Sequence, residues 1–217
     1  MYFTPTESGE YLVMNRFPRL RFSSIVGLVL ICTGLTVAAA QKAEPAPITA
    51  DSFKCIRDMS PVRGFYVSNL NGDLKGTLAA ANATNGAVYP PGSVVQLVPG
   101  EVMVKREAGF NAATKDWEFF ELTITPDGKS TIRTRGFVDV VNRFGGNCFA
   151  CHVKARPEFD LICETDHGCD PIPLTPVMIK AIQKTDPRCG APEELTPEEA
   201  TMLKALQAAM TAKPSAS

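Results

Sequence analysis

The run Cys148-Phe149-Ala150-Cys151-His152 constrains this chain more than any other feature. C-x-x-C-H is the attachment signature of c-type haem. Its spacing has a physical reason: two thiols on one turn must reach two vinyl groups on one porphyrin edge, and the adjacent imidazole must present a neutral nitrogen to iron. The motif therefore predicts one covalently attached haem c, with Cys148 and Cys151 as thioether sites and His152 as axial ligand. Two other readings stand beside it. A redox disulfide between Cys148 and Cys151 expects a βαβ context, whereas this motif follows a run of strands. A zinc site needs further ligands, which His167 with Cys163 and Cys169 would supply on paper.

The N-terminus predicts export. Arg16, Arg19 and Arg21 precede an uncharged apolar run, which ends in small residues with Ala38 and Ala40 fitting an A-x-A cleavage site. That run is short for a spanning helix, which needs about 20 residues, so residues 1–40 read as a signal peptide and the alternative is an uncleaved anchor. Cys32 follows Ile31, where a lipid-anchor cysteine would want a small residue. Cleavage removes three arginines and two glutamates and leaves 19 basic against 21 acidic side chains. With no basic stripe to neutralise phosphates, nucleic acid is excluded as a natural partner, and cleavage leaves no membrane span. The expected location is periplasmic or secreted. There cysteines are commonly oxidised, so Cys55, Cys163, Cys169 and Cys189 are expected to form two disulfides. Four thiols allow three pairings; Cys163 and Cys169, six apart, look like one small loop.

The order of elements places the motif late. Residues 41–60 form a lead-in, 61–170 the haem-binding domain and 171–217 a C-terminal helical extension. Residues 64–70, 93–98, 101–107 and 116–124 are valine- and aromatic-rich runs separated by turn residues, which predicts an antiparallel sheet of four or five strands. A Gly/Ala/Asn-rich connection links the first two. In the last run Phe120, Leu122 and Ile124 share a face by the two-residue period, and "TPDG" (125–128) ends it in a turn. The motif sits on a short helix. Thr175 with Pro176 opens a second helix, and Thr196 with Glu199 at capping-box spacing opens a third. On that third helix Met202, Leu203, Leu206 and Met210 share a face expected to be core. "KPSAS" reads as a frayed tail. The fold class is mainly β (α+β).

His167 lies in a polar loop and reads as solvated, with a second axial ligand as the alternative. An electron-transfer cytochrome of the helical class places its motif early and a methionine ligand downstream. Here the motif follows a sheet, and Met178 and Met202 fall on helices that bury them.

"VYPPGSVV", "VMVKREAGFNAATKDWEFFEL" and "CFACHVKARPEFDLIC", with Asp160 following the motif, resemble in order and spacing the cytochrome P-460 family over about residues 60–165. That family includes the β-sheet cytochromes c-prime-beta. The resemblance implies a mostly antiparallel β fold, one haem, and an iron whose second face is open or covered without a strong ligand. Members with a lysine bonded to the porphyrin oxidise hydroxylamine; members without it bind diatomic gases, above all nitric oxide. Counting from Gly92 puts Leu97 where the lysine stands, so Leu97 is expected to wall the distal pocket. The nearest lysine, Lys105, belongs to another strand of the family pattern and is expected at the surface with its ammonium in water. The resulting expectation is a monohaem protein that binds a diatomic gas such as nitric oxide at five-coordinate iron. Its alternatives are a hydroxylamine- or nitric oxide-oxidising enzyme that passes electrons to a redox-partner cytochrome, and plain electron transfer. A gas-binding or electron-transfer role is favoured over an oxidoreductase with its own substrate.

Overall fold

Short β-favouring runs pair most readily with their neighbours in sequence, and every strand of this chain does so. The structure, a computed structural model, describes residues 47–211. The predicted signal peptide (1–40), the start of the lead-in (41–46) and the whole "KPSAS" tail lie outside the described residues. The strands are β1 (Ser60–Val62), β2 (Phe65–Asn69), β3 (Ser93–Gln96), β4 (Glu101–Lys105), β5 (Trp117–Ile124) and β6 (Ser130–Gly136). They form one six-stranded sheet, each strand antiparallel to the next in sequence order. The helices are α1 (Leu74–Ala81), α2 (Cys148–His152), α3 (Pro176–Lys184) and α4 (Pro197–Thr211). The mainly-β, α+β class is what the sequence predicts. Among the described residues no helix is long and apolar enough to cross a membrane.

Both faces of the sheet are covered. Phe65, Val67, Val95, Met103, Trp117 and Phe119 pack on one face with Tyr89, Leu161 and Ile162. On the other, Val94, Val102, Val104, Phe120 and Leu122 pack with Ile48 and Phe53. Because side chains alternate along a strand, burial of both faces makes β5 buried without interruption from Trp117 to Leu122. Truncating Phe120, whose ring meets that of Phe53 edge-on at 5.1 Å, would cost about 3–5 kcal/mol. The "TPDG" segment turns as expected, with Gly128 N–H donating to the Thr125 carbonyl at 2.9 Å and Gly128 at φ 81°.

The register of β4 on β5 pairs Glu101 with Glu121, Met103 with Phe119, and Lys105 with Trp117. These alternate residues share one face of the sheet, and they prove decisive below.

Several expectations are corrected. There are six strands, not four or five: β1 was hidden by its shortness and Pro61, and β6 by its polar sequence Ser-Thr-Ile-Arg-Thr-Arg-Gly. The Gly/Ala/Asn-rich connection contains α1, capped by the Asp73 carboxylate accepting from Gly76 N–H at 2.9 Å. The capping box of α4 is present, with Thr196 N–H to Glu199 at 2.8 Å and Glu199 N–H to Thr196 at 3.2 Å. Its apolar face is not core, however: Met202, Leu203 and Leu206 are half-buried and Met210 is exposed.

The C-terminal helices are tied to the sheet domain. Two disulfides form, Cys55–Cys189 and Cys163–Cys169. Next to the first, Ile56 N–H donates to the Asp186 carboxylate at 3.0 Å. From α3, the buried Gln183 amide donates to the carbonyls of Gly64 at 2.9 Å and Leu97 at 2.7 Å.

Candidate functional site

The loop 137–147 aims the motif. Asn142 accepts from Phe144 and Gly146 N–H groups at 3.0 and 2.9 Å, and Gly145 takes φ 84°, a left-handed value that glycine adopts freely. This turn folds the chain back so that Cys148 N–H reaches the Val140 carbonyl at 3.0 Å. Asn147 then caps α2, its side chain accepting from Ala150 N–H at 2.8 Å. One helical turn carries Cys148, Cys151 and His152.

Among the described residues, Cys148 and Cys151 are the free cysteines. Both are half-buried, as is His152. Burial, with the Glu101 and Glu121 carboxylates adding to it, pushes the Cys148 thiol up to about 12. A thiol so placed stays protonated at neutral pH, the opposite of the stabilised thiolate that disulfide exchange requires. The all-antiparallel sheet also lacks the βαβ context of a redox motif. The zinc reading loses its ligands because Cys163 and Cys169 are bonded to each other.

His152 is held by one nitrogen. Its Nδ1 lies 2.7 Å from the Leu161 carbonyl, and a carbonyl only accepts, so Nδ1 carries the proton and donates. Nε2 is thereby left with its lone pair, the form that binds a metal. Burial lowers the His152 pKa against the raising effect of this bond, which keeps the ring neutral. The Phe119 ring packs beside it at 5.3 Å between centroids. The carbonyl is brought under the ring by a chain reversal, where Asp160 and Leu161 have φ 51° and 66°. For leucine the left-handed region costs about 1–2 kcal/mol, strain stored where a backbone oxygen orients the histidine.

Leu97 is half-buried against the same apolar cluster that receives Cys148 and Phe149. The structure thus brings Leu97 and the motif to one cluster. His167, predicted to be a solvated loop residue, is instead packed. Its ring stacks on Phe159 at 3.7 Å and its Nδ1 donates to the Ile162 carbonyl at 2.8 Å. Consecutive carbonyls, Leu161 and Ile162, therefore fix the two histidines.

Lys105 is also corrected. It is 6% exposed, and its ammonium donates to Asp160 at 2.8 and 2.9 Å and to the Lys115 carbonyl at 2.6 Å. Three donors meet three acceptor atoms, so the ammonium is fully hydrogen-bonded within the protein. The surface reading failed because Asp160, 55 residues away, gives no local signal.

That Glu101, Glu121 and Leu161 stand near the motif was not read from the sequence. Only the strand register places the carboxylates opposite each other, and only the reversal at 160–161 aims the carbonyl. A cleft of about 470 Å³ is lined by residues including Leu70, Val104 and Phe110; none of its lining residues comes from α2. The site is therefore fixed by the motif rather than by this cleft. Among the described residues no group of three or more His, Cys, Asp or Glu side chains is placed to hold a metal ion. A haem iron, which draws four ligands from its porphyrin, asks the chain for one histidine. Two free thiols and a histidine with one available nitrogen fit such a group. No family model, curated protein or solved structure matches this chain.

Proposed function

We propose that this chain is an exported monohaem c-type cytochrome, similar to the cytochromes c-prime-beta of the P-460 family, that binds a diatomic gas such as nitric oxide. The observation that carries the reading is the pairing of two free cysteines with His152, whose Nδ1 donates to Leu161 while Nε2 is left to ligate. Cys148 and Cys151 would hold the haem by thioethers, and His152 would be its axial ligand. When bound, the haem supplies an iron centre whose remaining axial position takes a small neutral ligand. The chain's own contribution is to orient His152 through the Leu161 carbonyl and to place the apolar Leu97 on the same cluster as the motif. An apolar wall admits a neutral gas and disfavours anions. The two disulfides support an oxidising location outside the cytoplasm. The commitment of Lys105 to Asp160 argues against the lysine-bonded, hydroxylamine-oxidising type.

The test is exported expression with haem-attachment machinery, followed by acidified-solvent extraction and ferrous spectra with and without nitric oxide. The expected result is haem retained by the polypeptide and a five-coordinate high-spin ferrous spectrum that nitric oxide converts. Low-spin iron with both axial positions filled would instead establish electron transfer. Haem released to the solvent would refute c-type attachment altogether. His152→Ala should keep the thioethers and lose the wild-type ligand-binding spectrum.

A further inference from the structure

The loop that delivers Cys148 also grips a pair of carboxylates that the motif does not use. Glu101 and Glu121 are direct cross-strand partners on β4 and β5. Glu121 is 0% exposed, and its Oε2 is buried without a hydrogen-bond partner. Its Oε1 receives Arg143 Nε at 3.3 Å and lies 3.6 Å from an Arg133 nitrogen. Arg143 also donates to the Leu122 carbonyl at 3.0 Å, and the neighbouring Asn142 amide hydrogen-bonds Glu101. The charged and titratable groups around the pair are therefore Arg133 from β6, Arg143 from the 137–147 loop and the Cys148 sulfur from α2. Both carboxylates act on that sulfur electrostatically.

Two carboxylates on facing strand positions, one half-buried and one fully buried, do not both ionise readily. The unpartnered Oε2 of Glu121 is an atom that gains from carrying a proton or accepting one from Glu101, since a buried acceptor left unpaired costs free energy. Burial, and then the Glu121 charge, raise Glu101 to about 7 against the opposing pull of Arg143. Arg143 and Arg133, with side chains 44% and 42% exposed, link the buried Glu121 to solvent.

We propose that Glu101 and Glu121 are the proton-exchanging group of the haem site, taking up one proton when the haem is reduced by a one-electron donor. This rests on the haem reading above. The balance is simple: one electron passes from the donor to the iron, one proton passes from water to a carboxylate oxygen, and no bond of the chain breaks. The added negative charge raises the proton affinity of nearby carboxylates through a low-dielectric interior, and linkage requires that protons in turn favour reduction.

The experiment uses the haem-loaded protein, wild type and the variants Glu101→Gln, Glu121→Gln and Arg143→Met. Reduction potential is followed across neutral pH, and reduced-minus-oxidised infrared spectra are recorded in the carboxylic-acid region. In the wild type, the reduction equilibrium should change by up to tenfold per pH unit around pH 7, about 59 mV. A protonated carboxyl band should appear on reduction. Glu101→Gln and Glu121→Gln should each abolish both signals, and Arg143→Met should move the pH-dependent region upward. Glu118→Gln is the control. Glu118 is buried but paired with Arg106 and Arg135, and its variant should keep both signals. Persistence of the pH slope in both glutamine variants, or reduction without a carboxyl band, overturns the proposal. Failure of the haem reading itself is seen earlier and separately, as haem released on acid extraction.

Discussion

The β4–β5 ladder carries ionisable side chains at both ends of one face, and the two ends resolve their charge in opposite ways. At one end, Lys105 and Asp160 bury opposite charges at 2.8 Å, with side chains 6% and 2% exposed, and every donor is used. Asp160 also accepts from Tyr89 N–H at 2.9 Å. At the other end, Glu101 and Glu121 bring like charges together, relieved by half-exposed arginines and, at Glu101, by the Asn142 amide. Met103 and Phe119 separate the two. The difference teaches that burial alone does not make a group structural or reactive. At the satisfied end every donor meets an acceptor, whereas at the frustrated end burial raises both carboxyl pKa values.

The largest effect should come from breaking the satisfied end. Lys105→Met leaves the Asp160 carboxylate buried and unpaired, and should cost about 3–5 kcal/mol, measured by urea denaturation at neutral pH. Adding Asp160→Asn should recover much of that loss, because it removes the orphaned charge while its amide oxygen can still accept from Tyr89. A single-variant cost below about 1 kcal/mol would show that the pair is solvated.

At the frustrated end the sign is set by the raised Glu101 pKa. Burial, and then the Glu121 charge, raise the native Glu101 pKa from 4.5 to about 7, so between those values the folded protein holds more protons than the unfolded chain. Stability therefore falls as pH rises through that window. Glu101→Gln should remove this fall, worth about 1–2 kcal/mol after solvent screening. Denaturation midpoints at pH 4.5 and 8 test it, and an unchanged pH profile in the variant would place the titration elsewhere. The smallest effect belongs to Arg143→Met. It should shift that window to higher pH and cost about 0.5–1 kcal/mol at neutral pH, since the arginine is 44% exposed.

Legibility followed the range of the signal. Local chemistry was readable: the motif, the caps of α3 and α4, and the four apolar strands all announce themselves within a few residues. Alternation along β5 gave the Phe120, Leu122 and Ile124 face, but it did not show that the Trp117 and Phe119 face is buried too. The polar β6 was invisible because its arginines, which would ordinarily mark a solvated loop, answer the buried Glu118 and Glu121 on β5. The two charged clusters were hidden for the same reason. Glu101 meets Glu121 only through register, and Lys105 meets Asp160 only after the reversal following the motif.

The Cys55–Cys189 bond, which spans 134 residues, has a consequence for biogenesis. Cys55 leaves the ribosome long before its partner, and Cys148, Cys151, Cys163 and Cys169 all emerge in between. Oxidation that keeps pace with synthesis would capture Cys55 in the wrong bond, and repair by thiol–disulfide exchange takes seconds to hours. Closure of the short Cys163–Cys169 loop removes two of those competitors, and early capping of Cys148 and Cys151 would remove the others. On the haem reading, the order in which the thiols are occupied would govern the yield of correctly bonded chain.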